Sequence, residues 1–262
     1  MQILLFGPGR LGRAIATEIE ATGWTPIVVG RPESGAHPMG SLPAADVVID
    51  ASHGSAAATN LEAALAAGNR RFILASTGWD ADLARVEALL TEHGAAAVHA
   101  PNLSLGAALF LRLAEVAAGW YARAEGFEPF IVEWHRRGKV DRPSGTARAI
   151  GRRITAADPR WTEPGDPTSR VAPGGGLATP LEIVSVRAGS SPGQHVVGFD
   201  APGETIELHL TARDRSAYAT GAVAAARWLM REPRAPGLHG FDAVVDDLLA
   251  TPTPTARTAR TA

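Results

Sequence analysis

A short apolar run, Ile3–Phe6, passes directly into Gly7-Pro8-Gly9-Arg10-Leu11-Gly12 and then into a helical pattern over Leu11–Ala21. This G-x-G-x-x-G spacing between a strand and a helix constrains the fold more than anything else in the chain. The first glycine permits a tight turn, the second lets a pyrophosphate approach the backbone, and the third lets the helix pack closely on the strand. Unpaired N–H groups at the start of such a helix then face the phosphates. Gly7, Gly9, Arg10, Leu11 and Gly12 are therefore candidate contacts to a dinucleotide, with Arg13 also able to approach its phosphate oxygens.

The same alternation continues along the next residues. Apolar segments at Pro26–Val29, Asp46–Asp50, Arg71–Ala75 and Ala95–His99 are interleaved with helical patterns at Ser55–Ala67 and Asp80–Glu92. Strands that are apolar along their whole length belong to a parallel sheet covered on both faces, and right-handed crossovers make it doubly wound. The expected class is α/β, a doubly wound, Rossmann-type domain. After Pro101 the pattern changes. A long helix over Ser104–Ala124, a strand at Phe130–His135, a helix over Ser144–Ala156 and closely spaced strands at Leu181–Gly189, His195–Phe199 and Thr205–Ala212 describe an α+β domain on a mixed, largely antiparallel sheet. Helices over Ala217–Met230 and Phe241–Leu249 close the fold. The expected organisation is 1–106 with 215–250 for the dinucleotide, 107–214 for substrate and oligomerisation, and a Thr/Pro/Ala/Arg tail over 251–262 too poor in apolar surface to order.

Composition narrows the chemistry. With no cysteine, a disulfide framework, a thiolate metal site and a cysteine nucleophile are all excluded. A net charge of −2 gives no sign of nucleic-acid binding, no stretch has the roughly 20 apolar residues of a membrane helix, and no leader pattern precedes Ile3, so a cytoplasmic protein is expected. His37, His53, His93, His99 and His239 show no metal-ligand spacing, and no metal is expected.

Lys139 is the only lysine among 25 basic side chains, and it lies in Glu133-Trp-His-Arg-Arg-Gly-Lys-Val-Asp-Arg-Pro-Ser-Gly-Thr146. Arginine is a planar fork that stays protonated, whereas an ammonium is compact, flexible and able to meet a carboxylate at close quarters. His135, four residues earlier, carries a ring that gives up a proton near neutral pH. Arg136, Arg137 and Lys139 place three cations within five residues, an arrangement that an anionic, dicarboxylate ligand would offset. The Ser144-Gly145-Thr146 turn opens a helix and offers it a second anion site.

Cofactor type is read at the end of the second strand. Sites for NAD place an acidic residue about 20 positions after the glycines, where it accepts from the ribose hydroxyls. Here the strand ends Val28-Val29-Gly30-Arg31, a guanidinium where the carboxylate would stand, which favours the 2′-phosphate of NADPH. Glu33 nearby leaves NADH open.

Over residues 1–250 the chain resembles the dihydrodipicolinate reductases, also called 4-hydroxy-tetrahydrodipicolinate reductases, of lysine and diaminopimelate biosynthesis. That family's Glu-x-His-His-x-x-Lys-x-Asp-x-Pro-Ser-Gly-Thr-Ala is matched by Glu133, His135, Lys139, Asp141, Pro143, Ser144, Gly145, Thr146 and Ala147. Its Gly-Arg-Met-Gly is similar to Gly9–Gly12, its Gly-Thr-Thr-Gly to Ala75-Ser76-Thr77-Gly78, and its Asn-x-Ser-x-Gly to Asn102-Leu103-Ser104-Leu105-Gly106. The later Arg-x-Gly, Pro-Gly-x-His, Glu-x-Ile and His blocks are met by Arg187, Gly189, Pro192, Gly193, His195, Glu204, Ile206 and His209.

The resemblance implies that nicotinamide lies by Ser76, Thr77 and Gly78 and by Asn102 and Ser104, with the Asp50-Ala51-Ser52 strand end beneath the cofactor. It implies that a cyclic imine dicarboxylate takes hydride, that His135 is the general acid, and that Lys139 holds one carboxylate. Ser144, Gly145 and Thr146 would hold the other carboxylate, and the assembly would be a homotetramer. One position departs from the pattern: Arg136 stands where the family has its second histidine. Arginine can still clamp a carboxylate, so Arg136 is a candidate substrate contact, but the change raises a different carboxylated cyclic imine as the alternative substrate; a nucleotide-binding paralogue without turnover is a separate alternative.

Overall fold

The computed structural model describes residues 1–32, 37–38, 40–100, 102–163 and 179–250; Glu33, Pro101 and the tail expected to be disordered lie outside them. The chain divides into two compact units, Met1–Leu105 together with the segment from Tyr218 onward, and Gly106–Ala217.

The first unit begins with β1 (Gln2–Phe6), α1 (Arg10–Ala21), β2 (Thr25–Val29), β3 (Val47–Asp50), α2 (Gly54–Ala66), β4 (Arg71–Leu74), α3 (Leu83–Glu92) and β5 (Ala96–His99). The second holds α4 (Leu105–Tyr121, starting at the boundary), β6 (Glu128–His135), α5 (Gly145–Ala157), the two-residue strands β7 (Trp161–Thr162) and β8 (Thr179–Pro180), β9 (Glu182–Arg187), β10 (Gln194–Ala201) and β11 (Glu204–Thr211). Helix α6 (Ser216–Arg231) leads back to the first unit, which β12 (Gly237–Gly240) and α7 (Phe241–Ala250) complete.

In the first unit the strands run in the order β2-β1-β3-β4-β5-β12, every pairing parallel. The four residues of β3 and Ile3 to Phe6 of β1 are buried, as strands covered on both faces must be. Each such Leu, Ile or Phe contributes about 1.5–3 kcal/mol by leaving water. Strand order reverses at β1, whose neighbours are β2 and β3, and the carboxyl ends of strands at such a reversal are where open α/β sheets take ligands.

The second unit's sheet runs β11-β10-β6-β9, with β10 antiparallel to both neighbours and β6 parallel to β9. Its core face packs Ile131, Val197 and Phe199 against Phe110, Ala114 and Ala118 of α4 and Ala147, Ile150 and Ile154 of α5. Alternation along β6 puts Glu133 on that same buried side as Ile131, and leaves Trp134 exposed on the other side with Val184 and Val186 of β9.

Three elements differ from the sequence expectation. The sixth strand, β12, was not expected, because Gly237-Leu-His-Gly240 carries no apolar run; its pairing with β5 supplies what its own composition does not. The short β7–β8 pair likewise has no local signal. The helix expected from Asp80 starts as a 3-10 turn over Asp80–Asp82 and becomes α-helical only at Leu83.

Candidate active site

In the first unit the candidate residues gather at the carboxyl ends of β1, β3 and β4. Gly7 has φ +99°, and a Cβ there would lie 2.6 Å from the Ala51 carbonyl oxygen, so the first glycine makes the turn and lets the β1 and β3 ends touch. A Cβ on Gly12 would fall 1.8 Å from the Gly7 carbonyl oxygen, which is the close helix–strand packing required of the third glycine. Around Gly9 the space is open: a Cβ would meet nothing within 4 Å. Gly9 is also the residue before α1, and no side chain caps that helix, so its first N–H groups are available to an anion. Those features fit the pyrophosphate of a dinucleotide. Arg10 and Arg31 are exposed, and Leu11 is half-buried.

Behind this turn lies a network that the sequence reading did not anticipate. Asp50, at the end of β3, is buried, and its Oδ1 accepts from the Ser52 N–H at 3.0 Å, the Ser52 hydroxyl at 2.8 Å and the Ser76 hydroxyl at 3.2 Å. Asn60 of α2 donates to Asp50 Oδ2 at 2.8 Å and to Ser52 Oγ at 3.1 Å. One carboxylate thereby ties the Ser52 turn to the Ser76–Gly78 turn. Gly54 adds to this, since a Cβ there would lie 2.3 Å from the Thr77 carbonyl oxygen. A buried Asp at the end of an apolar strand was the available signal. Asn102 accepts from the Ser104 N–H at 2.8 Å, closing the turn before α4. Ser76 and Ser104 are buried, Asn102 is half-buried, and Ser52, Thr77 and Gly78 are exposed.

In the second unit, the end of β6 carries a buried carboxylate with many partners. Glu133 is fully buried, and its Oε1 accepts from the Ser144 N–H at 2.9 Å, the Ser185 hydroxyl at 2.6 Å and Arg187 Nη2 at 2.7 Å. Its Oε2 lies 3.3 Å from His135 Nδ1 and 3.7 Å from His195 Nε2. Burial pushes the Glu133 carboxyl up, but the hydrogen bonds from Ser144, Ser185 and Arg187 outweigh it and hold the group down at about 2. The buried ion pair with Arg187 is complete, each side chain being wholly shielded from solvent.

Two imidazoles share this corner, at 5.2 Å between ring centroids and an interplanar angle of 77°. Burial lowers both. His195 falls to about 4, through burial and then through the charge of His135, so it is neutral near pH 7. For His135 burial also dominates; Glu133 and Asp141 raise its affinity for a proton, while Lys139 and Arg187 lower it. Glu133, His135 and His195 could bracket a metal ion, their ligand atoms lying within 4.8 Å of one another, but Arg187 already supplies the positive charge on that carboxylate.

Lys139 sits in the loop after β6, a quarter exposed, with Nζ 2.8 Å and 3.0 Å from the two oxygens of Asp141, whose carboxyl is lowered chiefly by that hydrogen bond. Arg136 is exposed and folds back toward Gly138, where a Cβ would lie 3.1 Å from its Nη1. The structure therefore brings His135 and Lys139 into one electrostatic group. It gives Ser144 a different place from the expected ligand role: its N–H goes to Glu133, and its hydroxyl accepts from Ala147 N–H at 3.1 Å and meets His195 Nε2 at 3.2 Å. As the cap of α5 it leaves the N–H groups of Gly145 and Thr146 without a partner inside the helix.

The chain matches the models of the dihydrodipicolinate reductase N-terminus over residues 1–103 and C-terminus over residues 106–245. The 4-hydroxy-tetrahydrodipicolinate reductase of Gluconacetobacter diazotrophicus is 35% identical over 252 residues, covering 90% of this chain and 93% of that protein. That of Alkalilimnicola ehrlichii is 35% identical over 232 residues, 87% of this chain and 78% of its own. A match to the Rhodopirellula baltica enzyme, 36% identical, spans 55% of this chain and 51% of that one. Among solved structures, a dipicolinate-bound dihydrodipicolinate reductase from Paenisporosarcina sp. TG-14 superposes with a TM-score of 0.67 at 20% identity, over 92% of this chain and 97% of that one. A probable dehydrogenase from Thermotoga maritima gives 0.53 at 11% identity, over 95% and 94%. At those identities the structural likeness speaks to the fold.

Proposed function

Because the chain belongs to the dihydrodipicolinate reductase family, we propose that it reduces 4-hydroxy-tetrahydrodipicolinate to tetrahydrodipicolinate with a reduced nicotinamide dinucleotide, the step of lysine and diaminopimelate biosynthesis for which its relatives are named. The observation that carries this reading is the corner at the end of β6, where the chain's one lysine and a half-buried imidazole stand beside a helix start whose first two N–H groups have no partner within the helix. Such a corner suits a dianion that must also be given a proton.

Bound at the Gly7–Gly12 turn, the reduced nicotinamide dinucleotide would supply the hydride. The remaining work falls to side chains and backbone of this chain. Lys139 holds one carboxylate, exchanging part of its contact with Asp141 for the ligand. Gly145 and Thr146 receive the other carboxylate on their N–H groups, with Ser144 holding the turn in place. His135 delivers a proton to the enamine left by hydride addition, and the fixed cations offset the charge that builds there.

The finer cofactor reading is NADPH, supported by Arg31 directly after Gly30 at the end of β2 and by the lack of an acidic residue at that strand end. Copies of the chain would meet as a homotetramer through the sheet face that exposes Trp134, Val184 and Val186. Arg136 in place of an imidazole favours a second reading, in which the same hydride chemistry serves another carboxylated cyclic imine.

One experiment tests these together: oxidation of NADPH and of NADH by the full chain, with the dipicolinate precursor generated in situ, on a preparation whose mass is read by light scattering. Turnover, a preference for NADPH that falls about tenfold in Arg31→Ala, and a mass of four chains are expected. Cofactor binding without turnover of this substrate sinks the leading reading and leaves a nucleotide-binding paralogue without turnover or a reductase of another imine.

A further inference from the structure

Among the buried atoms of the second unit, Glu133 Oε2 and His135 Nδ1 lack an aligned hydrogen bond within the described residues and lie only 3.3 Å apart. An unsatisfied buried acceptor costs about 1–3 kcal/mol, more when it is charged, so a carboxylate oxygen left in this way needs a reason. The reason is not a shortage of donors, since the other oxygen of the same carboxylate takes three. Ligand-free catalytic hydrogen bonds are commonly long and tighten when substrate arrives.

Resting on the reductase reading above, we propose that Glu133 is the positioning residue of the proton donor. Its Oε2 receives Nδ1–H of His135, fixing the imidazole so that Nε2 is the nitrogen that releases the proton. Its Oε1 meanwhile holds the Ser144 N–H, so a single buried carboxylate sets the spacing between the proton donor and the carboxylate-binding turn.

Three features of the corner support this assignment. Arg187 and Ser185 of β9 hold Oε1, so Oε2 cannot swing to another donor without breaking two hydrogen bonds. The ring of His195, edge-on to His135 at 77°, limits rotation of the donor's imidazole, and its own Nε2 is turned to the Ser144 hydroxyl. On the opposite side, His135 Nε2 lies 3.2 Å from where a Cβ on Gly193 would stand, and Gly193 has φ +139°, a conformation side chains rarely adopt. A glycine there keeps the Nε2 edge of the ring clear.

The protonation balance closes. A doubly protonated imidazole gives its Nε2 proton to the substrate carbon and remains as the neutral Nδ1–H tautomer, still bonded to Glu133. The charged and titratable groups facing that ring are Glu133 on its own strand, Lys139 and Asp141 in the following loop, Arg187 on β9 and His195 on β10. Only the two carboxylates raise its affinity for a proton, and Glu133 does so more than Asp141.

The test has two arms on the full chain. Side-chain 15N NMR of His135, assigned by loss of its signals in His135→Gln, is expected to report a neutral ring protonated on Nδ1; a predominant Nε2–H ring overturns the proposal. In Glu133→Gln, kcat is expected to fall roughly 10- to 100-fold at neutral pH, a part of what a general acid contributes, with KM for the dinucleotide unchanged. The limb of the rate profile on which the acid loses its proton should move to lower pH, because the charge that raised the ring's proton affinity has gone. An unmoved limb, with only a lower melting temperature, means that Glu133 merely pairs with Arg187. If Glu133→Gln does not fold, the NMR arm decides alone. That arm needs no turnover, so failure of the reductase reading, seen as an inactive unmodified chain, is told apart from failure of the His135–Glu133 contact, seen as an Nε2–H ring.

Discussion

Helices α1 and α5 both start at a turn expected to meet an anion, and the two starts are built in opposite ways. Before α1 stands Gly9, with open space around it and no side chain capping the helix. Before α5 stands Ser144, buried, capping Ala147 with its hydroxyl and lending its N–H to a carboxylate from another element. The first end leaves its backbone bare, which suits a pyrophosphate that itself supplies the missing partners. The second end is fixed in advance, with two N–H groups left over, which suits a small ligand that must be held at a set distance from a proton donor. On the proposed reading both ends would offer main-chain N–H groups, the first left bare and the second held in place by a buried carboxylate.

The sharpest break in that comparison comes from deleting the proton donor. His135→Ala should lower kcat about 10²- to 10⁴-fold and leave dinucleotide affinity as it was, because the Gly7–Gly12 turn is built within the first unit and His135 belongs to the second. Single-turnover rates and direct dinucleotide titration of the same preparation would read both. Loss of dinucleotide affinity in parallel with kcat would mean that the two ends are not independent in function.

The converse substitution acts on the bare end. In Gly12→Ala the added methyl meets the Gly7 carbonyl oxygen at 1.8 Å, a backbone atom that cannot swing aside, so α1 must shift on β1. Overpacking of this kind costs about 1–3 kcal/mol, and dinucleotide affinity should fall with it. His135 should keep its titration in this variant. Thermal unfolding with and without dinucleotide would separate the loss of fold from the loss of binding.

These two ends differ in the same way in how far sequence alone reveals them. The glycines of the α1 start are consecutive in the chain and each answers a local demand, so their spacing carries their purpose. Strands β1 and β3 to β5 are equally visible, being apolar and buried along most of their length, with polar residues only at their ends. The β6 corner is assembled from residues far apart: Glu133 meets Ser144 at a separation of 11, Ser185 at 52 and Arg187 at 54. Sequence order exposes the cluster His135, Lys139 and Ser144, but not that Ser144 is committed to its own helix, nor that β9 runs parallel to β6 and brings Ser185 and Arg187 alongside Glu133. Asp50 and Asn60 show the same limit within the first unit, since a hydrogen bond between a strand end and a helix leaves no period to read. Strand β12 is the extreme case, defined by its neighbour β5 and by nothing in its own four residues.

The smallest expected effect is silent at pH 7 and appears only on acidification. His195 is lowered to about 4 from an ordinary value of 6.5, so in the folded protein it stays neutral where an unfolded chain would take up a proton. The unfolded state then binds more protons between those values, and stability is lost as pH falls from about 6.5 toward 4. Glu133, held at about 2 against an ordinary 4.5, is ionised when folded where the unfolded chain is protonated, and it withdraws its share lower down, between about 4.5 and 2. Acid unfolding should therefore proceed in two overlapping stretches. His195→Gln, which keeps a polar group beside Ser144 but cannot titrate, should flatten the upper stretch and leave the lower one in place. Denaturant midpoints measured from pH 7 down to pH 3 decide the matter: an upper stretch as steep in the variant as in the parent would mean that this imidazole is not kept neutral by its burial, and that the charge in this corner is arranged otherwise than around Glu133.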